Sequence, residues 1–404
     1  MTVVCAGIDW ASEEHAVCVL TDEGESLHQG TVRHDEAGLG ELCELLCGLG
    51  TDRVAIERPD GVLVDRLVAA GLPVYAMHPN QVKAARARFR TAGGKSDRFD
   101  ALVLAELART DHHRFRPLAP DGDETRALRA LTRAREDLVE ARVALANQLR
   151  AELERCWPGA ARIFADVDSP IALAFLERYP GPGDAKGLGE RRLAAFLARH
   201  SYCGRRAAAD LLARLREAPV AELGELEAEA RRGVVLALVA SLKVLVERIR
   251  LLSSEIAGAV RQHPDGTLFL SLFRDRKSTV TAARLVAEIG DRRGRYPTAE
   301  ALAADAGMCP VAVESGKRKV ATFRRACDKR LRDAVVTFCD STRRWHPWAH
   351  DVYERARRRG CDHPHAIRVL GRAWLRVVWR MWQDHVVYDP ALHGSLQALS
   401  VTGG

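Results

Sequence analysis

Several kinds of sequence signal are missing from this chain. It has no uninterrupted apolar run of about 18 residues, the length that a membrane-spanning helix needs. The start, from Met1 to Asp9, has no basic segment and no small-residue cleavage site, so we expect no secretion signal. The ten cysteines form no CxxC pair and no cluster with histidines, which favours free thiols over disulfides or a zinc site. These absences predict a protein of the reducing cytoplasm that does not enter a membrane.

The composition is that of a folded, basic protein. Hydrophobic residues make up 47% of the chain and charged residues 28%, which excludes an intrinsically disordered protein. At 404 residues the chain is long enough for two or three domains. The net charge of +7 comes largely from arginine, whose planar guanidinium group binds phosphate oxygens in pairs. This charge suits a nucleic-acid partner, although a generic protein of an arginine-rich proteome would show it too.

The first hundred residues alternate between short apolar strands and amphipathic helices. Strands are predicted at 3–10, 15–20, 53–57 and 73–77, and helices at 36–49, 61–70 and in two further segments. The first two strands read as a hairpin, and strands then alternate with helices. This order predicts a mixed α/β sheet with helices packed on its faces.

Four carboxylates occupy positions where such a sheet builds its sites. Asp9 and Glu57 each come at the end of a predicted strand. Asp97 and Asp100 are three residues apart at the start of a helix predicted at 96–109, so they share one face. Converging carboxylates repel one another unless a divalent cation neutralises them, and Mg²⁺ (or Mn²⁺) prefers oxygen ligands. The sequence therefore predicts a metal site, although each residue alone could be a turn cap, a surface ion pair or a favourable helix N-terminus.

Basic residues precede this helix and suggest contacts with a nucleic-acid backbone. The predicted set is Lys83, Arg86, Arg88, Arg90 and Lys95. Cations beside a metal site would hold phosphates near the metal. A solvated helix face is the alternative interpretation.

The middle of the chain predicts long helices. Leucines recur every seven residues between 123 and 155, and apolar residues alternate spacings of four and three from 238 to 256. These two runs could form an antiparallel pair, a dimer interface or both.

The last third is mostly helical and contains a serine in a basic setting. Helices are predicted at 279–289, from about 298 to 306, from about 324 to 342, and at 363–384, where the tryptophans are expected in the core. Between them, Ser315 follows Glu314 and precedes Gly316. Nearby cations that could stabilise a phosphate are Lys317, Arg318, Lys319, Arg324 and Arg325. Ser315 is therefore a candidate nucleophile, although an ordinary turn serine is the alternative.

Four short motifs carry a resemblance to a known family. They are Gly-Ile-Asp at 7–9, Ile-Glu-Arg-Pro-Asp-Gly at 56–61, Lys-Ser-Asp-Arg-Phe-Asp-Ala at 95–101 and Glu-Ser-Gly-Lys at 314–317. Together they resemble the Asp-Glu-Asp-Asp insertion-sequence transposases, which include the pilin-gene-inverting recombinase and the bridge-RNA-guided recombinases. The resemblance covers nearly the whole chain. It implies a RuvC/RNase H-like metal-binding domain at 1–115, a helical coiled-coil region at 116–262, a mostly helical C-terminal transposase domain at 263–390 and a tail at 391–404.

The same resemblance implies a mechanism. Asp9, Glu57, Asp97 and Asp100 would bind Mg²⁺, and Ser315 would attack the scissile phosphodiester to form a covalent phosphoserine. Expected partners are donor and target DNA, a structured guide RNA and further copies of the chain, as a dimer or tetramer, in a cytoplasmic, nucleoid-associated protein. Two other interpretations stay open: a RuvC-like metal nuclease that does not need Ser315, and a non-catalytic nucleic-acid-binding protein that does not need four acids.

Overall fold

The chain folds into two compact units, Met1–Pro120 and Asp121–Gly404. The computed structural model describes residues 3–89, 96–275, 278–315 and 318–392. Among the helices so described, none is long and apolar enough to cross a membrane.

The first unit is built on a five-stranded mixed sheet. Its strands are β1 (Val4–Asp9), β2 (Glu14–Thr21), β3 (Ser26–Arg33), β4 (Arg53–Ile56) and β5 (Val74–Ala76). Their order across the sheet is β3-β2-β1-β4-β5. The pairs β1–β2 and β2–β3 are antiparallel, whereas β1–β4 and β4–β5 are parallel. The predicted α/β class and the hairpin are confirmed. The sequence pattern does not predict β3, because this edge strand contains few apolar residues.

Helices cover both faces of this sheet. They are α1 (Glu36–Gly48), α2 (Val62–Ala69), α3 (Pro79–Phe89) and α4 (Asp97–Thr110). Ala6 and Ile8 of β1 point into the core that includes leucines of α1 and α2. Gly7 faces the other way, where an added Cβ would lie 2.1 Å from the Ala101 carbonyl oxygen of α4. Because Gly7 has no side chain, α4 packs directly on the backbone of β1.

The second unit begins with two long helices that pack against each other. They are α5 (Asp123–Cys156) and α10 (Glu225–Gln262), with α6 (Pro158–Arg162), α7 (Pro170–Arg178), α8 (Glu190–Arg199) and α9 (Ala208–Glu217) between them. Three contacts set the direction of the pair: Thr125 with His263 at 2.8 Å, Arg135 with Ser253 at 2.7 Å, and Arg231 with Glu152 at 2.6 Å. The start of α5 therefore meets the end of α10. Of the arrangements that periodicity left open, an antiparallel pair within one chain is present.

This antiparallel pair has an uneven core. Val235, Leu242, Ile249 and Ile256 of α10 recur every seven residues and are buried. The leucines on the predicted stripes are only half-buried at positions 131, 138 and 145 of α5 and at positions 238, 245 and 252 of α10. An apolar stripe thus stays partly accessible along both helices.

The C-terminal part packs helices around buried tryptophans. Its elements are α11 (Gly266–Leu270), α12 (Thr279–Ile289), α13 (Ala299–Asp305), β6 (Val311–Ser315), β7 (Arg318–Thr322), α14 (Lys329–Thr342), α15 (Pro347–Arg358) and α16 (His363–Asp384). Trp374 and Trp382 are fully buried, which confirms their prediction as core residues. The helix predicted from about residue 324 begins instead at Lys329, because the Asp328 side chain accepts hydrogen bonds from the backbone N–H groups of Arg330 and Leu331.

Candidate functional site

Two of the predicted acidic residues lie at neighbouring strand ends. In the parallel pair β1–β4, Ile8 lies opposite Ile56. Asp9 and Glu57 each come one residue later, so they leave the same edge of the sheet on adjacent strands, which are about 4.8 Å apart in any sheet. Both side chains are half-buried. This sheet edge is the place where the sequence predicted a site.

The other two acids lie in the first turn of α4. Ser96 caps this helix by accepting a hydrogen bond from the Phe99 N–H at 3.3 Å. Asp97 is exposed, whereas the Asp100 side chain is only 1% exposed. The close packing at Gly7 holds α4 against β1, and this contact brings the first turn of α4 toward the strand ends.

Arg86 of α3 connects the acids of the sheet edge with those of α4. Its Nε donates to Asp100 Oδ1 at 2.6 Å and its Nη2 to Asp100 Oδ2 at 2.7 Å. The same Nη2 lies 3.7 Å from Glu57 Oε1. A guanidinium group therefore neutralises two of the four predicted metal ligands.

The four carboxylates are chemically suited to bind a divalent cation, but their side chains are not arranged around a common metal position. In the part of the chain that the structure describes, no three Asp, Glu, His or Cys side chains are close enough to hold a metal ion together. The four carboxylates supply the hard oxygen ligands that Mg²⁺ and Mn²⁺ prefer. Arg86 donates one hydrogen bond to each oxygen of Asp100 and places a positive charge beside it, so metal binding by Asp100 competes with this ion pair.

The interior role of Arg86 was missed by sequence reasoning, which grouped it with surface cations. The signal was present in the helix period: Val82 is buried, and Arg86 follows four residues later on the same face of α3. Lys83 and Arg88 are exposed as expected, with Arg88 3.5 Å from Asp111. Arg90 and Lys95 lie outside the described residues.

A pair of histidines near Trp10 was also not predicted. His15 Nε2 and His34 Nδ1 are 2.8 Å apart, and both rings lie beside Trp10, the residue after Asp9. Burial, with the nearby His34 adding to it, lowers the pKa of His15 to about 4. His15 is therefore neutral at physiological pH and belongs to the packing behind the acidic edge.

The candidate nucleophile ends a strand of a hairpin in the second unit. The strands β6 and β7 pair antiparallel, with Glu314 opposite Lys319 and Ser315 opposite Arg318. Ser315 is thus the last residue of β6, at the opposite end of the hairpin from the pair Val311 and Thr322. Gly316 and Lys317 lie outside the described residues, as do the side chains of Ser315, Arg318 and Lys319. Arg325 is exposed, and Arg324 Nε donates to the Cys309 carbonyl oxygen at 3.3 Å.

Comparison with known proteins gives the class. A family model described as "Transposase", built for the DEDD transposases of IS110, matches residues 6–158, which include all four acids. A second model, "Transposase IS116/IS110/IS902 family", matches residues 277–354, which include Ser315. The chain is a DNA transposase, and its substrate is DNA.

Full-length relatives give the family. The chain is 34% identical to the "Mini-circle putative transposase for IS117" of Streptomyces coelicolor, over 96% of both chains. It is 30% identical to the "Insertion element IS900 uncharacterized 42 kDa protein" of Mycobacterium paratuberculosis, over 96% of this chain and 98% of the relative. It is also 36% identical to the "Putative transposase y4uE" of Sinorhizobium fredii, over 48% of this chain and 56% of the relative. The protein belongs to the IS116/IS110/IS902 family of insertion-sequence transposases.

Proposed function

We propose that this transposase cuts and rejoins DNA through a covalent bond to Ser315, with a divalent cation held by Asp9, Glu57, Asp97 and Asp100. The observation that carries the proposal is the arrangement of the acids. Adjacent strand ends present Asp9 and Glu57, and Arg86 ties Glu57 to Asp100 of α4. The order of the five strands and these acids at their ends also support a RuvC/RNase H-like N-terminal domain.

The serine step conserves the energy of the broken bond. Ser315 Oγ attacks the scissile phosphorus, and the new Oγ–P bond forms as the P–O bond to the leaving deoxyribose oxygen breaks. The serine proton passes to a base, and the leaving oxygen takes up a proton. In the reverse step, the hydroxyl group of another DNA end attacks the phosphoserine and displaces Ser315, so rejoining needs no ATP.

The basic residues would hold the DNA in place for this step. Arg318 and Lys319 belong to the strand that pairs with the serine strand, and Lys317 lies between the two strands in sequence. Lys83, Arg88, Arg90 and Lys95 would bind the backbone beside the acids. The bound cation would neutralise the carboxylates and polarise the scissile phosphate, the chemistry that divalent metals supply in phosphodiester cleavage.

The assembly that we propose contains more than one copy of the chain. The half-buried leucine stripe on α5 and α10 supports a homo-oligomer, a dimer or tetramer, in which the acids of one subunit serve the serine of another. The net charge of +7 supports a structured guide RNA as a further partner. A cytoplasmic, nucleoid-associated location follows from the DNA substrate.

The test is to trap the covalent intermediate. Wild type, Ser315→Ala and Asp97→Ala are incubated with DNA carrying the ends of the element, Mn²⁺ and RNA transcribed from its flanks. We expect an adduct that survives boiling in detergent in wild type and is absent in both variants. Ser254→Ala is the matched control, since Ser254 is an exposed serine on α10.

The opposite outcome has a specific meaning. Cleavage that leaves no adduct and is unaffected by Ser315→Ala would contradict the serine mechanism. It would favour the alternative, a RuvC-like metal nuclease in which a metal-activated water cuts the strand.

A further inference from the structure

One face of α16 carries a row of basic side chains. His365, Arg368, Arg372 and Arg376 recur at spacings of three and four, so they lie on one side of the helix. The opposite side contains the buried residues of the C-terminal core, among them Leu370 and Trp374. Four cationic or titratable groups therefore line up over about 16 Å of helix axis, at 1.5 Å per residue.

This row forms one wall of a groove of about 500 Å³. The other walls are the turn after α13 and the chain that leaves β7. The lining residues include Cys309, Thr322, Phe323, Arg368, Arg372 and Arg376. Within this lining, drawn from the described residues, there is no Asp or Glu.

The arginines at the centre of the groove lack acidic partners in the part of the chain that the structure describes. Arg372 Nε is buried and has no hydrogen-bond partner there. Arg368 makes no ion pair there, and its guanidinium group lies 4.9 Å from the centre of the Phe323 ring. Among the described residues that line the groove, only Arg376, at the exposed edge, forms an ion pair with a carboxylate, that of Glu300 at 3.2 Å. A buried N–H group without an acceptor is costly, so this part of the groove favours an acceptor such as a phosphate oxygen or a bound water.

The groove also offers an aromatic surface. Phe323 is 44% exposed, and Arg332 lies 4.7 Å from its ring centre. Aromatic rings and arginine planes beside a cationic track are the elements that bind single-stranded nucleic acids. The volume is that of a small-molecule pocket, which accommodates one or two nucleotides but not a duplex.

The groove is connected to the serine hairpin through β7. Thr322 lines the groove, and β7 runs from it to Arg318, which pairs with Ser315. Four residues of extended strand span about 13 Å. A nucleic-acid strand bound in the groove would thus lie a few nucleotides from Ser315.

We propose that the α16 groove, lined by Arg368, Arg372 and Phe323, binds the phosphodiester backbone of a single-stranded nucleic acid, either DNA or RNA. Arg368 and Arg372 hold phosphates, and Phe323 supports the adjoining sugar or base. The proposal goes beyond the serine chemistry and does not depend on it.

The test measures binding without catalysis. In a Ser315→Ala background, the full chain is titrated with fluorescent 20-nucleotide DNA, RNA of the same sequence and the corresponding DNA duplex, each over a series of salt concentrations. Arg368→Gln and Arg372→Gln are each expected to weaken single-strand binding by about threefold and to lower the salt slope by about 0.7, the value for one lost phosphate contact. The matched control is Arg380→Gln on the same helix, which is 72% exposed, pairs with Asp384 and lies outside the groove.

Each outcome decides a point. A loss of affinity in Arg368→Gln and Arg372→Gln for single-stranded DNA, for RNA or for both supports nucleic-acid binding in the groove. Which of the two probes is affected identifies the ligand as DNA or RNA. Unchanged affinity in both groove variants, an equal loss in Arg380→Gln, or an equal loss for the duplex would overturn the proposal. Arg368→Lys keeps the charge and should bind like wild type, which separates phosphate binding from a folding defect.

A second readout locates the ligand. Cys309 lines the groove, whereas Cys203 is exposed between α8 and α9. A bound oligonucleotide should slow maleimide modification of Cys309 and leave the rate at Cys203 unchanged. Unchanged modification of Cys309 at saturating oligonucleotide would place the ligand elsewhere. Because this experiment uses the Ser315→Ala protein, its result is independent of the adduct assay.

Discussion

Replacing Arg86 with glutamine would remove the positive charge that neutralises Asp100. The Asp100 side chain is 1% exposed and that of Arg86 27% exposed, with two hydrogen bonds of 2.6 and 2.7 Å between them. Removing one partner of a buried ion pair costs about 3–5 kcal/mol, because the other charge stays buried and uncompensated. Arg86 retains some solvent contact, so we expect about 3 kcal/mol, the lower end of that range.

The same substitution should favour metal binding. In the wild-type protein a cation at Asp100 competes with the Arg86 guanidinium group, and Arg86→Gln removes that competing charge. We therefore expect Arg86→Gln to be the less stable protein in EDTA and to bind Mn²⁺ more tightly than wild type. A tenfold gain in affinity corresponds to about 1.4 kcal/mol of additional stabilisation at saturating metal.

Hydrogen exchange of α4 and calorimetric titration with Mn²⁺ measure the two effects. Exchange reports on the first unit separately from the second. The control is Arg88→Gln on the same helix, where Arg88 is 59% exposed and 3.5 Å from Asp111, so its loss should cost less than about 1 kcal/mol. The double variant Arg86→Gln/Asp100→Asn should recover part of the stability, since position 100 then carries no buried charge. Unchanged α4 exchange in EDTA together with wild-type Mn²⁺ affinity would refute the reasoning.

Three further predictions concern the stability of the elements around the two candidate sites. Gly7→Ala should destabilise the first unit by about 3 kcal/mol or more, because the new Cβ meets the α4 backbone. Gly40→Ala, at an exposed position of α1 with open space around it, should stabilise by up to about 1 kcal/mol in the same urea titration, because alanine favours the helix. The pKa of His15 is about 4 in the folded protein and about 6.5 in the unfolded chain, so the unfolded chain binds the proton first and stability falls as the pH drops from 6.5 toward 4. The free energy of unfolding should decrease by about 2 kcal/mol between pH 7.5 and pH 5. His15→Gln should abolish that decrease. Asp328→Ala should cost about 1 kcal/mol in thermal unfolding by removing the cap of α14, and an unchanged midpoint would contradict this role.

Local patterns were enough to predict the buried strands of the first unit and several of the helices. The boundaries of α12 and α16 match the predictions because helix ends carry local signals: Gly290, with a positive φ of 85°, ends the first, and Asp362 caps the second. The strands that end at Asp9 and before Glu57 were predicted because continuous apolar runs mark buried strands. Family membership followed from four short motifs, since each keeps its residues together in the chain.

Elements whose signal depends on distant partners were not predicted. The strand β3 has little apolar pattern of its own and forms by pairing with β2. The hairpin β6–β7 exists through pairing between its strands, and the helix predicted from about residue 324 begins only after the Asp328 cap. Periodicity predicted α5 and α10 as helices with an apolar stripe. It could not decide which helix packs against each stripe, because the same stripe suits a helix of the same chain or of another copy.

The sequence alone determined which residues are chemically able to form the sites: the four acids, Ser315 and the cations around them. The tertiary structure decided how those groups are paired. Arg86, predicted to contact phosphate, is instead paired with Asp100 because α3 and α4 pack together and bring positions 14 residues apart within hydrogen-bonding distance. Arg372, in contrast, has no acidic partner among the described residues and opens into the α16 groove. Whether a charge is neutralised or left for a ligand depends on which elements pack beside it, and that is a property of the fold rather than of the local sequence.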